Sequence, residues 1–158
     1  MVVYSFWGEK NILLENGLHY KNEVEEMRET NKVFHLAIPC KELDETVEFY
    51  EKLGCKLARR YDDRVTFDFF GDQVVCHLSP NSIDENPKMY PRHYGITFLN
   101  REEYEQALDY AMKEKLPFYT EPMVRFKGKQ EEHMTFFLID PANNLLEFKY
   151  YHDSSMVY

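Results

Sequence analysis

The feature that most constrains this chain is an internal repeat, because residues 32–80 and residues 92–151 predict the same order of elements. Each segment predicts a strand, a helix and three further strands, which together make a βαβββ unit. One such unit alone leaves a face of its sheet half exposed, so the two units are expected to pair. The sequence therefore predicts an α+β fold of two paired βαβββ units. They form a curved mixed sheet around a cleft, with the helices outside.

The elements of the first unit follow from local patterns. "VFHLAIP" is a short apolar strand ended by Pro39, and "KELDETVEFYEKLG" has apolar residues at helical spacing with Gly54 at the expected C-cap. Breaks at Asp-Asp, Gly-Asp and Ser-Pro then separate three predicted strands, "CKLARRYDD", "RVTFDFFG" and "DQVVCHLSP".

The second unit repeats this order. "RHYGITFL" predicts a strand, and "NREEYEQALDYAMKEKL" predicts a helix with Asn100 as its N-cap. "PFYTEPMVRF", "HMTFFLIDP" and "NNLLEFKYY" predict the last three strands. Outside the units, we expect an N-terminal arm of unassigned role at 1–31, a Pro- and Asn-rich linker at 81–91 and a tail at 152–158.

Composition narrows the classes of partner. A chain of 158 residues with 44% hydrophobic residues is large enough for one well-packed domain. A formal net charge of −9 argues against binding to nucleic acid or to an anionic membrane surface. Three widely spaced cysteines indicate reduced thiols, and there is no secretory signal pattern or long apolar run. We therefore expect a cytoplasmic protein whose partner is neither nucleic acid nor a membrane.

Strand parity places four polar side chains on the face opposite the apolar one. His35 and His93 occupy matching places in the first strand of each unit. His77 aligns with Glu147 in the last strand of each unit if the turn before Glu147 has one extra residue. All four are expected to point into one cleft.

Imidazoles and a carboxylate that converge in a cleft are typical of a metal site. Such a set suits Fe(II), Mn, Ni, Zn or Co, and two histidines with one carboxylate leave coordination positions open for substrate and dioxygen. A cation would also explain an ionised Glu147 within a strand, since it offsets the loss of hydration.

With these residues in place, the chain resembles the vicinal oxygen chelate superfamily. That superfamily includes glyoxalase I, extradiol ring-cleaving dioxygenases, fosfomycin-resistance thiol transferases and bleomycin-binding proteins. The resemblance covers about 33–151 and is most specific at "FHLAIPCKELDETVEFYEKLGCK", "DFFGDQVVCHL", "RHYGITF" and "FFLIDPANNLLEFK". These segments are most similar to a branch of small proteins described as predicted extradiol-type dioxygenases.

The resemblance implies that His35, His93 and Glu147 are metal ligands. His77 departs from the pattern, because glyoxalase I has a glutamate there that is both ligand and base, and it stays open whether His77 is a fourth ligand or a pocket acid–base. The implied function is a metal-dependent enzyme, with dioxygenase-like oxidation of a catechol-like substrate at Fe(II) favoured. A glyoxalase-type lyase or isomerase using Zn or Ni is one alternative, and a non-catalytic drug-binding protein is the other.

Further candidates for the cleft are polar residues on the same predicted face. We expect His77 to be the catalytic acid–base, and Arg125 to hold an anionic group of the substrate. The other candidates for substrate contact are Asp68, Thr97 and Lys149. Because homodimers are common in the superfamily, the resemblance also implies a homodimer.

Overall fold

The computed structural model describes residues 32–158, and the predicted N-terminal arm at 1–31 lies outside them. Within this range the chain follows the predicted order of two βαβββ units. The first unit contains β1 (His35–Cys40), α1 (Leu43–Lys52), β2 (Lys56–Arg60), β3 (Arg64–Phe69) and β4 (Asp72–Leu78). The second contains β5 (Tyr94–Phe98), α2 (Arg101–Lys113), β6 (Phe118–Arg125), β7 (His133–Ile139) and β8 (Leu145–Tyr151). Short 3₁₀ helices lie at Pro80–Ser82 and Ser154–Met156.

Both α-helices begin at a side chain that caps free backbone N–H groups. Glu42 Oε2 accepts a hydrogen bond from Asp44 N at 3.0 Å, and Asn100 Oδ1 accepts one from Glu102 N at 2.8 Å. Gly54 ends the turn after α1 with φ 99°, a conformation that costs a residue with a side chain more than it costs glycine. The predicted caps at Asn100 and Gly54 are thus confirmed.

The sheets have the same topology in both units. Their strand orders are β1-β4-β3-β2 and β5-β8-β7-β6, so β1 and β5 are edge strands. β1 pairs with β4 in parallel and β5 pairs with β8 in parallel, while the remaining pairs are antiparallel. The expected curved sheet is therefore divided into two four-stranded mixed sheets, and no ladder joins them within residues 32–158.

A shared core and a polar cluster hold the two units together. The buried apolar residues of both units form one continuous cluster. At its centre, Tyr50 OH on α1 donates to Asp140 Oδ2 at 3.0 Å and also hydrogen bonds the Tyr94 hydroxyl. Asn144 Nδ2 in the second unit donates a hydrogen bond to the Pro39 carbonyl oxygen in the first unit at 3.0 Å. Burial raises the pKa of both tyrosines well above the usual value, so their hydroxyls remain neutral hydrogen-bonding groups.

The strand register corrects the sequence alignment of the two units. Ala37 lies opposite Val75 in the pair of β1 and β4, and Gly95 lies opposite Glu147 in the pair of β5 and β8. Because Ala37 and Gly95 hold matching places, the residue that corresponds to Glu147 is Val75. The predicted match between His77 and Glu147 is therefore wrong by two residues.

No helix within residues 32–158 combines the length and the apolar character needed to cross a membrane.

Candidate metal centre

His93 and Glu147 form the centre of the candidate site. Glu147 lies in the middle of β8, and the residue is buried, with only 4% of its surface exposed. His93 lies immediately before β5. The His93 Nε2 and Glu147 Oε2 atoms are 3.2 Å apart. The structure thus brings together two of the three predicted metal ligands.

The buried carboxylate of Glu147 has three polar neighbours. Thr135 Oγ1 on β7 donates to Oε1 at 3.0 Å. On the other oxygen, Lys149 Nζ donates to Oε2 at 3.0 Å, beside the His93 ring. These contacts offset the desolvation of the carboxylate, which would otherwise cost several kcal/mol by order of magnitude.

The hydrogen bond on the far side of the His93 ring fixes its tautomer. His93 Nδ1 lies 2.6 Å from the Met89 carbonyl oxygen, and a carbonyl can only accept, so Nδ1 must carry the proton. In the neutral ring, Nε2 is then left with a lone pair that faces the Glu147 carboxylate. Two acceptors in contact need a proton or a cation between them. A backbone carbonyl that orients a histidine in this way is typical of metal sites.

The spacing of these two donors fits a chelated divalent ion. Donors bound at about 2.0–2.2 Å lie about 3.0 Å apart in octahedral geometry and about 3.4 Å apart in tetrahedral geometry. The observed separation of 3.2 Å between His93 Nε2 and Glu147 Oε2 lies between these two values. The pair therefore fits a metal ion with little movement of either side chain.

His35, the third predicted ligand, is not brought to this pair. It is exposed at the start of β1, and its Nδ1 lies 2.6 Å from Gln73 Oε1 on the neighbouring strand. Within residues 32–158, no three His, Cys, Asp or Glu side chains converge closely enough to hold a metal ion.

His77 lies in a different environment from Glu147. It is exposed near the end of β4, opposite Pro39 in the parallel ladder and opposite Arg64 in the antiparallel ladder. Val75 takes the buried position that corresponds to Glu147. The first unit thus has an apolar residue where the second has its carboxylate.

The four predicted substrate residues are differently placed. Asp68 accepts a hydrogen bond from Gly71 N at 2.8 Å and so closes the turn between β3 and β4. Thr97 lies opposite Lys149 in the ladder of β5 and β8. Arg125 donates to the Tyr90 hydroxyl, and the Tyr90 ring contacts the His93 ring with their centroids 5.5 Å apart. Lys149 is the ion-pair partner of Glu147.

Sequence reasoning missed three residues that shape this site: Thr135, Met89 and Gly95. Strand parity could have found Thr135, since it shares a face with Phe137, which lies opposite Glu147. Met89 acts through its backbone carbonyl, so its side-chain type carries no signal. Gly95 could have been noticed as a glycine within a strand, which often marks a close backbone approach.

A cavity of about 550 Å³ adjoins His93. Its walls come from β1, from the linker between the units and from the turn before β8. Three charged residues between β4 and β5 reach it, namely Asp84, Lys88 and Arg92. This volume is suitable for a small organic ligand.

Paired βαβββ units with their polar residues on one sheet face define the class of vicinal oxygen chelate proteins. This chain belongs to the Glyoxalase/Bleomycin resistance protein/Dioxygenase superfamily, whose family model matches residues 32–148. The family predicted from the sequence is thereby confirmed.

Individual relatives agree with this assignment. A crystal structure of a glyoxalase/bleomycin resistance protein/dioxygenase from Alicyclobacillus acidocaldarius is 59% identical, covers 84% of this chain and 100% of its own, and has a TM-score of 0.80. The glyoxalase domain-containing protein RDO1 of Mycosarcoma maydis is 22% identical over 121 residues, or 76% of this chain and 68% of that protein. The fosfomycin resistance protein FosX of Listeria monocytogenes is 16% identical, with 81% and 99% of the two chains covered and a TM-score of 0.61. The likeness to FosX establishes the fold alone.

Proposed function

We propose that this chain is a metal-dependent enzyme that oxidises a small, metal-chelating, catechol-like substrate with dioxygen at an Fe(II) centre. The observation that carries the proposal is the contact between the His93 Nε2 atom and the Oε2 atom of the buried Glu147 at 3.2 Å, with the other ring nitrogen held by the Met89 carbonyl oxygen. Imidazole and carboxylate donors together suit Fe(II), and a set of two histidines and one carboxylate leaves positions open for substrate and dioxygen. Zn, Ni, Mn or Co suit the same donors.

We propose His35 as the third ligand. It holds the place in the first unit that His93 holds in the second, since His35 begins the edge strand β1 and His93 immediately precedes the edge strand β5. The Gln73 side chain contacts its Nδ1 atom, so its Nε2 atom is the one left to bind an ion. Val75 cannot supply a fourth ligand, which limits the set to two histidines and one carboxylate.

In this proposal the remaining residues handle the substrate. Tyr90 lies beside His93, Arg125 donates to the Tyr90 hydroxyl, and the two suit a polar or anionic group on an aromatic ring. Thr97 lies on the same sheet face as Glu147. His77 is retained as a carrier of protons and not as a ligand. Asp68 is assigned no contact with substrate, because its carboxylate closes a turn.

The first experiment measures the metal content of protein purified without added metal. We expect about one divalent ion per chain in the wild type. In Glu147→Gln and in His93→Gln we expect the bound metal per chain to fall by tenfold or more. His133→Gln is the matched control, because His133 is a buried histidine of the same sheet whose Nδ1 also contacts a backbone carbonyl, that of Glu131, at 2.9 Å. An unchanged metal content in Glu147→Gln would contradict the proposal.

The second experiment measures oxygen uptake after loading with Fe(II) and adding simple catechols. Uptake that depends on Glu147 is expected for the dioxygenase. Bound Zn or Ni without oxygen uptake would instead favour the glyoxalase-type lyase or isomerase. The predicted homodimer is tested on the same samples by light scattering.

A second candidate function is small-molecule binding without catalysis. Two observations favour it: the cavity of about 550 Å³ beside His93, and the separation of His35 from the other two ligands within the described residues. Ligand binding that survives both Glu147→Gln and His93→Gln, in protein without metal, would support this second function against the first.

A further inference from the structure

We propose that the Lys149 ammonium is a removable counter-cation for Glu147. When a divalent ion binds to Glu147, the ammonium would move away from the carboxylate and bind an anionic group of the substrate. This inference rests on the proposed metal centre and explains how the charge of Glu147 is balanced when no metal is bound. It also gives the substrate a chemical class: a metal-chelating molecule with a negatively charged group.

The first observation is that two groups share one carboxylate oxygen. Lys149 Nζ lies 3.0 Å from Glu147 Oε2, and His93 Nε2 lies 3.2 Å from the same atom. Oε1 is taken by Thr135 on the other side. The ammonium therefore supplies positive charge at the oxygen that a metal ion between His93 and Glu147 would use.

The second observation concerns competition at that oxygen. A metal ion bound by His93 and Glu147 and the Lys149 ammonium would both approach Oε2, and two like charges at such a distance repel each other strongly. Lys149 can leave, because its side chain is 26% exposed whereas that of Glu147 is 5% exposed. Its flexible four-carbon stem allows the ammonium to move without a change in the backbone.

The third observation shows where the displaced ammonium would act. The strand ladders put Arg125, His133 and Tyr151 in one row across the second sheet. The row that contains Lys149 lies two residues along the strands, on the same sheet face. The Lys149 ammonium lies 5.7 Å from the centre of the Tyr151 ring, and Arg125 donates to the Tyr90 hydroxyl. The cationic side chains of Lys149 and Arg125 thus lie near the His93–Glu147 pair on one sheet face, in a chain whose net charge is −9. This arrangement fits an anionic group held close to the metal.

The test of displacement is a calorimetric titration of metal-free protein with Co²⁺. Removing the competing ammonium in Lys149→Met is expected to tighten Co²⁺ binding by about tenfold, since the ion no longer displaces a like charge. Lys149→Arg keeps the charge and is expected to bind Co²⁺ as the wild type does. Lys56→Met is the matched control, because Lys56 is exposed on β2 of the other unit. Equal or weaker binding in Lys149→Met would overturn the proposal.

Thermal unfolding gives a readout independent of activity. Without metal, Lys149→Met leaves a buried carboxylate short of its counter-cation, so its melting temperature is expected to fall below that of the wild type. With saturating Co²⁺ the two melting temperatures are expected to approach each other. A difference that stays the same with and without Co²⁺ would show a merely structural ion pair.

The anion step is tested with benzoate as the probe. Benzoate is expected to bind Co²⁺-loaded wild type more tightly than metal-free wild type, and to bind Co²⁺-loaded Lys149→Met several-fold more weakly. Equal benzoate affinity in the loaded wild type and loaded Lys149→Met would overturn this step. If the wild type takes up no Co²⁺ at all, the proposed metal centre itself fails. If it takes up Co²⁺ through Glu147 but Lys149→Met changes nothing, the role of Lys149 alone fails.

Discussion

Gly95 and Glu147 face each other across the parallel pair of β5 and β8 at a separation that leaves no room for a side chain on residue 95. A Cβ atom built on Gly95 would lie 1.7 Å from the Glu147 carbonyl oxygen and 2.6 Å from its carbonyl carbon. The matching position in the first unit is Ala37, opposite Val75. The strand β8, which carries the candidate ligand Glu147, thus leaves room only for a glycine at position 95 of the neighbouring strand β5.

Replacing Gly95 with alanine is expected to displace the Glu147 backbone and to separate the carboxylate from His93. We expect metal affinity to fall by about tenfold to a hundredfold, as for other residues that orient ligands. Metal content and thermal stability of Gly95→Ala measure the effect. Ala37→Gly is the control in the other unit and is expected to retain its metal. Full metal content in Gly95→Ala would show that the close approach is unimportant for the site.

Replacing His77 with glutamine is expected to leave metal content unchanged. His77 is exposed and lies two residues beyond Val75, the position that corresponds to Glu147. Metal analysis of His77→Gln beside Glu147→Gln checks this expectation. A loss of metal equal to that of Glu147→Gln would mean that His77 is a ligand after all. A change confined to the pH profile of turnover would instead support its role as a proton carrier.

The Tyr50–Asp140 hydrogen bond between the units is expected to stabilise the fold in a pH-dependent way. Burial raises the pKa of Asp140, while hydrogen bonds from Asn144, Ala142 and Tyr50 oppose that rise. Because its pKa in the fold exceeds the unfolded value, Asp140 contributes most stability at low pH and loses it as pH rises through the folded pKa. Tyr50→Phe removes one of the opposing donors, so we expect a loss of about 1–3 kcal/mol that is larger at pH 8 than at pH 5.

Chemical denaturation at both pH values measures this loss. Tyr61→Phe is the control, because Tyr61 is an exposed tyrosine outside the cluster. A destabilisation by Tyr50→Phe that is the same at pH 5 and pH 8 would contradict the assigned role of Asp140.

The three thiols are expected to be unreactive in the folded protein. Burial raises the pKa of Cys40, Cys55 and Cys76, and for Cys55 the pKa reaches about 12, with the charge of Asp68 adding to the effect of burial. Very little thiolate is then present at pH 8, and thiolate is the reactive form. Titration with a disulfide reagent at pH 8 is expected to be slow in native protein and rapid in guanidinium. Rapid modification of native protein would show that a thiol is accessible and ionised.

The sequence by itself determined the order of the elements and the face on which each polar residue lies. The helices follow from apolar spacing and caps, and strand parity puts Glu147 on the face opposite Leu146 and Phe148, because these patterns depend on near neighbours. The repeat then predicted two paired units. This much is local information that a single chain carries in its residue order.

Only the tertiary structure decided which of those residues meet. The turn between β3 and β4 has two residues, Phe70 and Gly71, both with positive φ, whereas the connection between β7 and β8 spans 140–144. The sequence alignment assumed that the second turn is longer than the first by one residue. Because the difference in turn length is larger, the residue that corresponds to Glu147 is Val75 and not His77. Register, the Met89 carbonyl and the Lys149 ion pair all depend on contacts between segments distant in sequence, and residue periodicity does not encode those contacts.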